Sequence, residues 1–463
     1  MVQRLSPLDV SFLYMEEPTT PMHVGGLAIF QIPATGLVYE KVVDLISERI
    51  SLVPRYRQKL KWVPGRLSNP VWIDDNDFDI TYHVRRSALP KPGKDDQLRD
   101  FVARIQSRPL DRSRPLWELY VVEGLSKNRA AVVTKIHHAM VDGISAIDIG
   151  AIILDPTPEP RATAPDTWIP NPEPSALALI AEVFSEVVRS PGTVIDSARG
   201  GFSDVRATAG RLGKALSGVL SITRSAVRSA PESPLNATIG EQRRFGMLAT
   251  SLDDYKLIRK SHGGTINDVV LATVAGGLRE WLLTRGESVN PSSTVRVMVP
   301  VSVRSSDDGG ALGNRVSSYF VDLPVGEQSP VMRLHQVSYE MAAHKESNAA
   351  VGADALVGMT GFAPPTLHAM GARVASSLTR RMFNTVVTNV PGPQLPLYAA
   401  GAQLLAIYPV VPLAKGQAVS IGVTSYNGGV YFGLNADRDS MPDVDVLAQC
   451  IGDSLAALVA TVS

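Results

Sequence analysis

Cysteine is nearly absent: Cys450 is the only one in the chain. A disulfide within the chain is therefore excluded, and a zinc site built on cysteine thiolates is not expected. Charge of one sign is also lacking, since Lys plus Arg and Asp plus Glu both number 45. A nucleic-acid footprint needs a basic excess, so no nucleic-acid partner is expected. No uninterrupted apolar run reaches about 18 residues, roughly the length of a spanning helix. The most apolar stretch, residues 176–188, is broken by Glu182, Ser185 and Glu186. The opening residues, 1–7, have no apolar signal-peptide core. These absences predict a cytoplasmic protein that is not secreted.

What the chain does have is size and an ordinary globular balance. Its 463 residues are 44% apolar and 19% charged, enough for two or three domains. Strand-like and helix-like patterns alternate, which predicts an α/β fold. Residues 25–32 and 130–136 read as strands, and residues 37–51 as a helix. Seven prolines, from Pro156 to Pro174, then fall within nineteen residues. Proline at that density prevents regular structure and stiffens the chain. The alternation resumes near Arg243, with helices expected over 252–261, 265–284 and 443–459. Strands are expected over 294–301, 384–390, 418–426 and 429–434. Three parts follow: an N-terminal subdomain (1–154), a proline-rich crossover with a basic helical linker (155–240), and a C-terminal subdomain (241–463).

Between Val205 and Pro231 the linker has five basic residues and no acidic one. A solvated helix face accounts for such a run. So does an amphipathic helix resting on an anionic lipid surface.

The densest chemistry lies in His137-His138-Ala139-Met140-Val141-Asp142-Gly143, where a strand ends and a helix is expected. Successive strand side chains point to opposite faces, so the two rings should diverge. One is then chemical and the other structural. The spacing matches no metal-ligand pattern, so no metal is expected here. Imidazole titrates near neutral pH and suits a base that draws the proton from an attacking hydroxyl. No GxSxG nucleophile elbow is present, and Cys450 lies far along the chain. Transfer without an acyl-enzyme intermediate fits both observations. Asp142 suits a helix cap or a partner for arginine, and Gly143 permits close approach. The remaining histidines are scattered and are not expected to act in chemistry.

HHxxxDG after a strand resembles the signature of the CoA-dependent acyltransferase superfamily. Further blocks narrow the resemblance. They include Leu5-Ser6-Pro7-Leu8-Asp9-Val10-Ser11-Phe12, Met22-His23-Val24-Gly25 and Arg114-Pro115-Leu116-Trp117-Glu118. Thr265-Ile266-Asn267-Asp268-Val269-Val270-Leu271, Val299-Pro300-Val301-Ser302-Val303-Arg304 and Leu312-Gly313-Asn314-Arg315 follow in order, then Thr388-Asn389-Val390-Pro391-Gly392-Pro393. Together they resemble the bacterial wax ester synthase/diacylglycerol acyltransferase family, especially the mycobacterial triacylglycerol synthases.

That resemblance implies two chloramphenicol-acetyltransferase-like subdomains with an active-site tunnel between them. It implies His138 as the base, with His137, Asp142 and Gly143 supporting its loop. Arg304 is the expected partner of Asp142. Pro115, Leu116, Trp117, Asn267 and Asp268 are implied near the substrate pocket. On residue chemistry alone, Trp117 fills core and Asn267 and Asp268 cap a helix.

The implied co-substrate is acyl-CoA, with no bound cofactor. The implied acceptor is diacylglycerol, giving triacylglycerol, or else a long-chain alcohol, giving a wax ester. A non-catalytic lipid-surface homologue is the reading from a different class. Contact with the inner face of the plasma membrane or with lipid droplets would follow from the basic stretch.

Overall fold

The computed structural model describes residues 3–33, 36, 39–140, 152–189, 229–302, 316–346, 351–352 and 382–462. Its framework is two large sheets. The first has six strands, in the order Tyr398–Ala399, Ala402–Val410, His23–Gln31, Arg129–His137, Trp117–Leu125 and Val84–Ala88. Neighbours are antiparallel except the last pair, which is parallel. The histidine strand, Arg129–His137, lies inside this sheet. Its continuous apolar run, Ala130 to Val133, is buried on both faces, as suits a central strand.

Alternation divides that strand's neighbours. Val132 and Ile136 pack with Phe30, Leu45, Ile46 and the opening helix, Pro7–Met15. Ala131 and Val133 pack with Leu98, Val102 and Ile105 of the helix Asp95–Gln106. Lys135 and His137 share the parity of this second set. Lys135 reaches the end of the Asp95–Gln106 helix, donating to the carbonyls of Ile105, at 3.1 Å, and Arg108. Free carbonyls at a helix C-terminus attract cations, which explains a fully buried lysine there.

The second sheet has seven strands, ordered Val351–Gly352, Val316–Leu323, Val295–Ser302, Thr385–Pro391, Val419–Tyr426, Gly429–Asp437 and Arg243–Ser251. The helices Ile266–Thr284, Pro330–Glu346 and Val444–Val459 contribute to one apolar core with it.

One connection was not legible beforehand. Strand Ala402–Val410 comes from the C-terminal part of the chain yet pairs with His23–Gln31 in the first sheet. Gly433 makes this route available. A Cβ there would stand 1.9 Å from the Pro409 carbonyl oxygen. Phe245, Tyr408 and Val410 then join a core cluster otherwise built by residues 27–133.

Two further expectations lie partly outside the described residues. The basic stretch read as helical, between Val205 and Pro231, falls almost wholly outside the described residues, which omit 190–228; the helix Ala176–Arg189 precedes it. Among the described residues, no helix is long and apolar enough to cross a membrane.

Candidate active site

The histidine strand ends at His137, and a short 3-10 turn, His138–Met140, begins at the next residue. The two rings consequently enter different surroundings. His137 is fully buried. Its N–H donates to the Leu116 carbonyl at 2.9 Å. Its Nδ1 accepts the Ala139 N–H at 3.0 Å, which places the proton of a neutral ring on Nε2. That nitrogen faces Glu16 Oε2 at 3.6 Å, close for electrostatics but long for a hydrogen bond.

His138 is half-buried and lies against Phe12. The ring centroids are 4.0 Å apart and the planes 20° from parallel. Its backbone N–H donates to the Met22 carbonyl at 2.8 Å. Nδ1 is sealed, without a well-formed hydrogen bond among the described residues. Burial and then the neighbouring His137 push its pKa down to about 4, against a small opposing pull from its own backbone carbonyl. Desolvation dominates because an imidazolium loses more hydration than a neutral ring. At neutral pH the ring is therefore in the form that can accept a proton.

Charged groups gather on the His137 side. Burial pushes Glu16 up, but His137 and Arg112 outweigh it and hold the carboxyl at about 2. Arg112 Nε donates to Glu16 Oε2 at 3.0 Å, and Arg112 Nη2 donates to the Leu13 carbonyl at the same distance. His23 stands directly across the strand pair from His137. Its Nε2 lies 2.9 Å from the Gln106 carbonyl, and burial followed by Lys135 keeps its pKa well below the usual imidazole range. Burial likewise lowers Lys135 to about 8. Gly25, beside this group, leaves room for neighbouring backbone. A Cβ there would lie 2.1 Å from the Thr134 carbonyl oxygen.

The other residues singled out from the sequence separate into three groups. Leu116 reaches the histidines through its carbonyl. Trp117 is fully buried in the core, donates from Nε1 to the Tyr56 carbonyl at 2.8 Å, and stacks on His83 at 4.7 Å. Pro115 forms the turn before them, accepting the Trp117 N–H at 2.9 Å. Asn267 and Asp268 stand in the second half. Asp268 completes a reciprocal cap with Thr265, while Asn267 accepts from Asn389 Nδ2 at 3.1 Å. Asp142, Gly143 and Arg304 lie outside the described residues.

Sequence reasoning did not single out Phe12, Glu16 or Arg112. The available signal was spacing: Phe12 and Glu16 are four apart, one helical turn, so they lie near one face. Among the described residues, no cluster of three or more His, Cys, Asp or Glu side chains is arranged to hold a metal.

Comparison with known proteins decides the family. The model of the wax ester synthase/diacylglycerol acyltransferase catalytic domain matches residues 5–270, and the C-terminal domain model of the same family matches residues 312–459. The chain belongs to the wax ester synthase/diacylglycerol acyltransferase family. A probable diacylglycerol O-acyltransferase of Mycobacterium tuberculosis, tgs1, is 34% identical over 461 residues, covering 99% of this chain and 96% of the relative. Another from that organism, tgs3, is 46% identical over 260 residues, 56% of this chain and 96% of the relative. Among solved structures, the wax ester synthase/diacylglycerol acyltransferase of Marinobacter aquaeolei VT8 superposes with a TM-score of 0.70 at 27% identity. That match covers 99% of this chain and all of the other. A starter condensation domain of rhizomide synthetase, solved with C8-CoA, shares the fold alone, with a TM-score of 0.56 at 12% identity over 98% of this chain and 94% of that one. The mixed α/β architecture with two subdomains is thus the one expected from the sequence.

Proposed function

We propose that this family member transfers a long-chain acyl group from acyl-CoA to 1,2-diacylglycerol, forming triacylglycerol and releasing CoA. The observation that carries the chemistry is His138, held neutral at the end of the central strand. The acceptor is proposed from the near full-length likeness to a probable diacylglycerol O-acyltransferase.

In this mechanism His138 draws the proton from the acceptor hydroxyl as its oxygen attacks the thioester carbonyl carbon. Nε2 takes that proton, since Nδ1 is sealed. The C–S bond then breaks, and the imidazolium returns the proton to the departing sulfur. No acyl-enzyme is formed. Cys450 is buried in the C-terminal helix, and burial raises its thiol pKa, opposite to an activated nucleophile. His137, Asp142 and Gly143 support the loop, with Arg304 pairing Asp142. Acyl-CoA and the lipid approach His138 through a tunnel between the subdomains.

The test is a purified-protein assay with acyl-CoA and both acceptors, resolved by lipid chromatography. Triacylglycerol is the expected major product. A wax ester as the sole product would favour the second reading, which the Marinobacter likeness supports. His138→Ala should lower turnover by about a hundredfold or more while folding is retained. Full activity in that variant would remove His138 as the base.

The lipid acceptor also motivates surface attachment through the basic stretch between Val205 and Pro231. Vesicle flotation should show binding that grows with anionic lipid and weakens with salt. Equal partitioning on neutral vesicles at every salt concentration contradicts that electrostatic attachment.

A further inference from the structure

We infer that Phe12 and Glu16, one turn apart at the end of the opening helix, position His138 for acyl transfer. This rests on His138 being the base. Phe12 covers one face of the imidazole at a centroid distance of 4.0 Å. Such a stack restricts rotation of the ring and keeps water from that face. Glu16 follows at the helix end, where its N–H donates to the Phe12 carbonyl at 3.2 Å.

Glu16 then braces His138 from two sides. On one side Oε1 accepts the Met22 N–H at 3.1 Å, and the Met22 carbonyl accepts the His138 N–H at 2.8 Å. A single residue, Met22, therefore links the carboxylate to the backbone of the base. On the other side Oε2 faces His137 Nε2, and His137 Nδ1 accepts the N–H of Ala139, the residue after His138. Arg112 fixes the carboxylate itself by donating to Oε2 and to the Leu13 carbonyl. The helix start is also secured, because Ser6 caps it through the Asp9 N–H at 3.1 Å. The arrangement is a rigid template that sets both the plane of the ring and the path of its backbone. Neither side chain takes part in proton transfer.

The test uses the full chain with Phe12→Leu and Glu16→Gln, alone and combined. Steady-state kinetics with acyl-CoA and diacylglycerol are compared with thermal midpoints. Each single variant should lower kcat about tenfold or more, the scale expected from a misplaced reactive group. KM for acyl-CoA should stay within about threefold, because ground-state binding is not the target. The combined loss should be smaller than the product of the single losses, as for two residues acting on one element. A purely structural role would instead lower the midpoint and leave kcat per folded molecule unchanged.

Folded variants whose kcat stays within about twofold, or whose loss lies only in KM, overturn the inference. Should Glu16→Gln fail to fold, Phe12→Leu decides by the same kcat criterion. With active parent protein and an inactive His138→Ala variant, fully active Phe12 and Glu16 variants remove only the positioning role. Full activity in His138→Ala removes the base assignment, and the positioning role falls with it.

Discussion

His138 couples burial to chemistry through a single titration. Its ring is held at a pKa of about 4, whereas a free imidazole titrates near 6.5. A base works only when unprotonated, so kcat/KM should be level from neutral pH down to about 5. It should then fall about tenfold per unit below pH 4. The measurement is kcat/KM against pH, limited to the range where circular dichroism shows a folded protein. An acid limb centred near 6.5 would mean that the ring is hydrated when substrate arrives. Glu16 does not add to that limb, since it stays ionised down to about 2.

Trp117 gives a second test at this scale. Trp117→Phe removes the bond from the indole N–H to the Tyr56 carbonyl and takes volume out of the core. Stability should drop by about 1–3 kcal/mol in denaturant titration. KM should remain near that of the parent if the indole is core. A large rise in KM with little stability loss would place it at the pocket instead.

At the scale of elements, the histidine strand was readable because its apolar run and the motif after it point the same way. The helix Ile266–Thr284 was readable from its cap. Thr265 and Asp268 satisfy each other's backbone N–H groups, which is a local matter of three-residue spacing. Asn267 was less legible. Its partner, Asn389, is 122 residues away, in the separate block Thr388-Asn389-Val390. Phe12, though it ends a quoted block, and Glu16 were given no role at the site for the same reason. Their helix is short and apolar, with little periodic signal, and their targets lie more than a hundred residues downstream.

For the whole molecule, the decisive element is strand Ala402–Val410. Together with Tyr398–Ala399 it joins the first sheet, while the strands before and after this pair belong to the second. Ion pairs cross between the halves as well, including Arg99 with Asp445 at 3.1 Å and Lys415 with Glu17 at 2.8 Å. Unfolding one half must therefore disrupt the other, and a single cooperative transition is expected. Tryptophan fluorescence reports mainly on the first half, since four of the five tryptophans lie between residues 62 and 168. Far-UV circular dichroism reports on both sheets. Their denaturation midpoints should coincide. Two separated transitions would show that the shared strand does not couple the halves.

The sequence by itself determined the α/β class, the central strand, the histidine pair and the family likeness. Each rests on residues adjacent in the chain, where spacing, turn chemistry and side-chain alternation act locally. It also predicted that the two rings diverge, which the structure achieves by ending the strand at His137 and starting a 3-10 turn at His138. Only the tertiary structure decided which ring meets Phe12 and which faces Glu16. It alone sent strand Ala402–Val410 into the first sheet. Those outcomes depend on backbone groups and packed faces brought together from distant segments, and no local pattern encodes that proximity.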